Sequence, residues 1–152
     1  MEGIKTNSMK KLLAKTLSPH PMPLVFDCGI LLLRVAVSLE IAIVHGFKKI
    51  GVGVAQAENI PNPLHLPDAF NNVFAIAANI VFPFFVLTGF FTRLSTLPTL
   101  AVTLTGYFVV HRNDSLLEKD TPFIYSLIFL VILILGPGKY SVDNTLHKKL
   151  AI

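Results

Sequence analysis

The sequence predicts an all-α integral membrane protein, a bundle of four short transmembrane helices with both termini on the cytoplasmic side. Composition is the first sign. Of 152 residues, 53% are hydrophobic and 14% charged, whereas a soluble domain carries roughly 25% charged residues. The second sign is that the apolar residues fall into long uncharged runs of about the length of a bilayer's hydrocarbon core. The third is where the cations sit. With both ends inside, Lys5, Lys10, Lys11, Lys15, Arg93, Lys139, Lys148 and Lys149 face the cytoplasm, and Lys48, Lys49, Arg112 and Lys119 face out. That two-to-one bias sets the orientation. It also makes the net charge of +4 an orientation signal and not the footprint of nucleic acid.

Residues 1–23 form a basic tail in which Leu12, Leu13 and Leu17 alternate with lysines, compatible with an interfacial helix or with disorder. Met9-Lys10-Lys11 looks like the start of a signal peptide. The apolar run that follows is too long for one and has no A-x-A-like site, so an uncleaved first span is expected. Pro19, Pro21 and Pro23 hold the approach out of helix. The membrane domain, residues 24–152, then follows. Span 1 covers residues 26–45, about 30 Å at 1.5 Å per residue. Residues 51–69 carry Gly51, Gly53, Pro61, Pro63 and Pro67 and read as an interfacial loop. Span 2 covers 70–91, with a kink expected at Pro83. Residues 92–95 read as a tight turn in which Arg93 snorkels, and span 3 covers 96–111 with Pro98 in its first turn. The charged segment 112–121 belongs in water. Span 4, 122–135, is capped by Asp120 or Thr121 and stopped by Gly136-Pro137-Gly138. At about 21 Å it is short for a span.

Arg34 and Glu40 lie inside span 1, where a charge costs about 2.5–3.5 kcal/mol and so turns inward and finds a partner. At about 100° per residue, Asp27, Arg34, Ser38, His45 and Lys49 share one face of that span. Thr96, Thr99, Thr103, Tyr107 and His111 form a second stripe on span 3, and Asn72, Asn79 and Pro83 share a face of span 2. These stripes predict an outward-opening polar cavity lined by His45, Asn79, Tyr107 and His111, with Glu40 deeper and Arg34 as its floor. Lys49 and Arg112 make its rim positive. Plainer readings stand beside this one. Thr, Ser and Asn within spans are commonly interhelical glue. The two histidines end their helices at the interface, and Arg34 can pair structurally with Glu40 or Asp27. Cys28 is alone, so the sequence offers no intrachain disulfide and no Cys-based metal cluster, and no metal is expected.

Arg34 followed by His45-Gly46-x-x-Lys49 resembles the first span of the DoxX family. Thr88-Gly89-Phe90-Phe91-Thr92-Arg93 resembles that family's turn after span 2. His111 and Gly136-Pro137-Gly138-Lys139-Tyr140-Ser141-x-Asp143 resemble its third span and closing signature. The resemblance covers residues 26–146. It implies a bacterial-type inner-membrane protein of four short helices, associated with quinone-linked oxidation of sulfur compounds. Asn79 stands where many members carry a Glu.

The function expected is therefore a membrane subunit of a redox system. Its cavity takes a quinone-like or small anionic guest against an aromatic wall of Phe82, Phe84, Phe85, Phe90 and Phe91. No cofactor is built in beyond such a quinone. The sequence has no flavin motif and no Cys pair, so a soluble or membrane redox partner supplies the electrons. A proton or anion transporter and a non-catalytic anchor for soluble enzymes are the competing classes. The lipid bilayer is the certain partner, and a homodimer is compatible with so small a bundle.

Overall fold

The computed structural model describes residues 22–150, and among them every regular element is helical. All but the last two residues of the expected tail lie outside the described residues. Helix α1 (Pro23–Glu40) begins with a proline, where the missing N–H has no partner to lose. It continues into a π-helical turn (Ile41–Gly46) and a 3-10 turn (Phe47–Ile50), which ends where Gly51 takes φ 79°.

The second apolar run forms α2 (Asp68–Asn79) and α3 (Val81–Thr88), broken at Ile80. The break lies three residues before the expected kink, and Pro83 is its cause. Lacking an N–H, Pro83 cannot donate to the Asn79 carbonyl, so the ladder fails one turn upstream. At the break, the Ala78 carbonyl accepts from the Thr99 hydroxyl at 2.7 Å. Such side-chain bonds let a broken helix persist in apolar surroundings.

Helix α4 (Thr92–Thr105) starts four residues earlier than expected, with Pro98 in its interior, and continues into a π turn (Gly106–Val110). The tight turn precedes it, at Gly89 and Phe91, both with positive φ. Helix α5 (Leu116–Leu135) starts six residues before Pro122. Ser115, not Asp120 or Thr121, is its cap. Ser115 Oγ accepts from the Glu118 N–H while the Glu118 carboxylate accepts from the Ser115 N–H. The added residues bring the 20-residue helix to about 30 Å. A last helix, α6 (Val142–Leu150), has no counterpart in the sequence reading.

Packing is strongest between α4 and α5, then between α3 and each of α1 and α4. The apolar core is small: Val37, Ile41, Val86, Leu100, Phe129 and Ile132. As many polar as apolar side chains are buried, among them Arg34, Asn79, Thr92, Thr96 and Thr99, while Leu32, Phe84, Leu94 and Phe108 are 60% exposed or more. Water would penalise that inversion, and hydrocarbon would not. Two helical stretches, Pro23–Ile50 and Asp68–Thr88, are long and apolar enough to cross a membrane.

Candidate functional site

Each end of the bundle collects a different set of polar residues. At one end Arg34, 1% exposed, reaches across from α1. Its guanidinium donates to the carbonyls of Pro137, of Leu87 (3.3 Å) and of Tyr140 (3.0 Å). Asp143, from the first turn of α6, caps α4. Its carboxylate accepts from the N–H groups of Phe91 (2.7 Å) and Thr92 (2.8 Å) and from the Thr92 hydroxyl (2.8 Å). Its own N–H donates to the Gly89 carbonyl at 2.9 Å. Gly89 is compelled twice over. Its φ is +74°, and a Cβ there would lie 2.5 Å from Ser141 Cβ. Arg93 is exposed and donates to the Leu133 carbonyl at the end of α5, at 3.2 Å. Asp27 accepts from the Lys139 N–H at 3.0 Å. Together these bonds form a clasp that ties the segment after α5 to α1, α3 and α4. Neither sequence alternative for Arg34, an ion pair with Glu40 or with Asp27, is formed; backbone carbonyls take that place.

At the other end lies a cavity of about 500 Å³. Ile41 and His45 of the first π turn, Phe74, Ala75 and Asn79 of α2, Gly106 and Val110 of the second π turn, and Tyr125 of α5 form its walls. Residues 58–66 cover it, and Glu58 ties that cover to Lys48 (3.4 Å) and Lys49 (3.7 Å). His45 meets the Tyr125 ring edge-on at 5.3 Å between centroids. Gly46 packs against the cavity wall. A Cβ there would stand 2.8 Å from the Asn79 carbonyl oxygen, so only glycine lets α1 press against the helix break. Among the described residues, no group of three His, Cys, Asp or Glu side chains gathers as a metal ion would need.

The structure thus brings His45, Asn79 and His111 to one cavity and places the other candidates elsewhere. Arg34 belongs to the clasp and is not the cavity floor. Glu40 is exposed and outside the lining. Tyr107 turns away to a small apolar groove with Phe108 and Phe123. For Tyr107 the second π turn explains the displacement. A turn closed by an i→i+5 bond, as from the His111 N–H to the Gly106 carbonyl (2.9 Å), holds an extra residue and rotates everything after it off the expected stripe. The expected aromatic wall is also corrected. Phe82, Phe84, Phe85, Phe90 and Phe91 are absent from the lining. Except for Phe84, they stack edge-on in a chain near the clasp. Thr99 serves as interhelical glue to the Ala78 carbonyl of α2, while Thr96 bonds back to the Thr92 carbonyl of its own helix. Sequence reasoning missed Tyr125, Phe74 and the covering loop, whose Glu58 was the one signal available: a lone carboxylate in an apolar loop shortly after a pair of lysines.

The DoxX family model matches residues 29–112, more than half of the chain. An uncharacterized protein of Haemophilus influenzae is 27% identical over 96 residues, covering 60% of this chain and 64% of that one. Inner membrane protein YqjF of Escherichia coli is 38% identical over 68 residues, covering 42% of this chain and 52% of that one. The chain thus spans between half and two thirds of the length of these curated relatives. No solved structure matches it.

Proposed function

The chain belongs to the DoxX family, and on that footing we propose that it is a membrane subunit of a redox system whose cavity holds a small quinone-like or anionic guest. It is a multi-pass protein of the inner membrane, in keeping with its apolar helices and its Escherichia coli relative. Four passes are proposed: α1 with its two terminal turns, α2 with α3, α4 with its π turn, and α5. Both ends are cytoplasmic, following the excess of Lys and Arg on that side. The cavity then opens outward and the clasp faces the cytoplasm.

One observation carries the reading. The cavity's volume of about 500 Å³ lies within the usual range for small-molecule sites, and its apolar walls hold a few convergent polar groups, Asn79, His45 and Tyr125. Two π turns border it, and such turns recur at functional sites. A redox partner supplies electrons, since the sequence carries no flavin motif and a single Cys. The transporter reading is weaker because Arg34, its main support, is committed to backbone carbonyls.

The test is thermal unfolding of the detergent-purified chain with duroquinone and with thiosulfate. A guest that binds only the folded state raises the midpoint with concentration. The expected rise disappears in Ala75→Trp, which fills the cavity. A rise of equal size in that variant would place binding elsewhere.

A further inference from the structure

We infer that the guest of this cavity is electrically neutral and presents a carbonyl or hydroxyl oxygen to the side chain of Asn79. The inference rests on the guest-binding reading above and narrows it to one of its two chemistries.

Charge is the first argument. Four lining side chains are charged at neutral pH, Lys48, Lys49, Glu58 and Glu118, and they cancel. Nor are they free. Glu58 stands 3.4 Å from Lys48 and 3.7 Å from Lys49, and Lys49 also donates to the His45 carbonyl at 3.1 Å. The Glu118 carboxylate is turned back to Ser115, at 3.0 Å from its N–H and 3.1 Å from its hydroxyl. His111 is paired with Asp114 at 2.7 Å. Arg112, expected to make the rim positive, does not line the cavity. An anion entering this space meets no uncommitted cation. It has to compete with Glu58, which already sits against both lysines. A neutral guest disturbs none of these pairs.

Asn79 is the second argument, and it is independent of the first. It is 3% exposed, it lines the cavity, and its amide makes no side-chain hydrogen bond with any described residue. An amide that borders the cavity with no partner in the protein is open to one from outside it. A primary amide offers two donors and an acceptor without net charge, which suits a neutral oxygen-bearing molecule. The helix breaks directly after Asn79, at Ile80, and Gly46 packs against the Asn79 backbone. Phe74, Ala75 and Ile41 around it are apolar, so the rest of the guest is hydrocarbon.

Three compounds that share one ring separate the possibilities: durene, with no oxygen; duroquinone, with two carbonyls; and durenecarboxylate, an anion. Each is added at the same concentration to the full chain in mild detergent, and the unfolding midpoint is read. Duroquinone is expected to raise the midpoint by several degrees more than either of the others. Asn79→Leu, close in volume but without the amide, is expected to lower the duroquinone shift to that of durene. Durenecarboxylate matching or exceeding duroquinone in the wild-type chain would overturn neutrality and leave guest binding standing. Equal shifts from durene and duroquinone, or an unchanged gap in Asn79→Leu, would overturn the role of Asn79. No shift from any of the three would bring down the guest-binding reading and the inference with it. The wild-type comparison decides the matter of charge even where Asn79→Leu does not fold.

Discussion

Arg34 carries a charge in the middle of the first helix and, among the described residues, pairs with no carboxylate; three carbonyls from two other segments serve it. Hydrogen bonds to a charged group are each worth about 1.5–3 kcal/mol, so Arg34→Ala should cost several kcal/mol and show as lost expression or a lower unfolding midpoint. Arg34→Lys keeps the charge but not the planar fork, and should recover only part of that loss. Wild-type stability in the Ala variant would show that the clasp holds without it. Gly46 is the matching test at the cavity. A methyl group there meets the Asn79 carbonyl and Ile80, and overpacking of this kind costs about 1–3 kcal/mol. Gly46→Ala should therefore lower both the unfolding midpoint and guest binding. In the sequence, Arg34 was legible as a residue that must find a partner. Its partners were not, because backbone carbonyls of a distant segment leave no mark in residue identity.

The π turns are where the reading by periodicity runs out. Up to Glu40 and Thr105 the ordinary helical angle applies, and Arg34, Ser38, Thr96, Thr99 and Thr103 are all buried as their spacing implies. Beyond those points one extra residue per turn shifts the phase, and Tyr107 leaves the stripe on which His111 was expected beside it. No residue type marks a π turn, so this was hidden. The start of α5 was not hidden: Ser115-Leu116-Leu117-Glu118 is a capping-box spacing, obscured by the surrounding charges. Ser115→Ala should cost about 1 kcal/mol and raise hydrogen exchange in the first turn of α5. The covering loop makes a different prediction. Exposed ion pairs contribute about 0–1 kcal/mol, so Glu58→Gln should barely move the unfolding midpoint. Hydrogen exchange across residues 51–67 should nevertheless rise, since both lysines lose their tie to the cover.

Across the whole molecule, most of the motif residues are not at the cavity. Arg34, Gly89, Thr92, Arg93 and Asp143 all build the clasp; of the motif residues, His45, Lys49 and His111 line the cavity, and Gly46 packs against its wall. A family signature can therefore mark the conditions for folding and leave the proposed guest to residues outside it, such as Asn79. All-helical character was legible from composition and apolar run length. The division into two functional ends was not, since it depends on which helix ends meet. The proposed orientation is open to cysteine labelling in cells, after Cys28→Ser removes the exposed native thiol. A maleimide applied from outside should reach Asp114→Cys and Glu58→Cys but not His147→Cys. Strong labelling at His147→Cys would place the C-terminal end outside and remove the fourth pass.

The clasp also imposes an order in time. Arg34 emerges early in synthesis, yet two of its acceptors, Pro137 and Tyr140, lie 103 and 106 residues further along. Until the ribosome has delivered them, the first helix holds a guanidinium whose final partners do not exist. Seating Arg34 in the clasp therefore has to wait until residues 137–140 have been made. A chain cut short before Gly136 would be recognisable to membrane proteases by that single unseated charge.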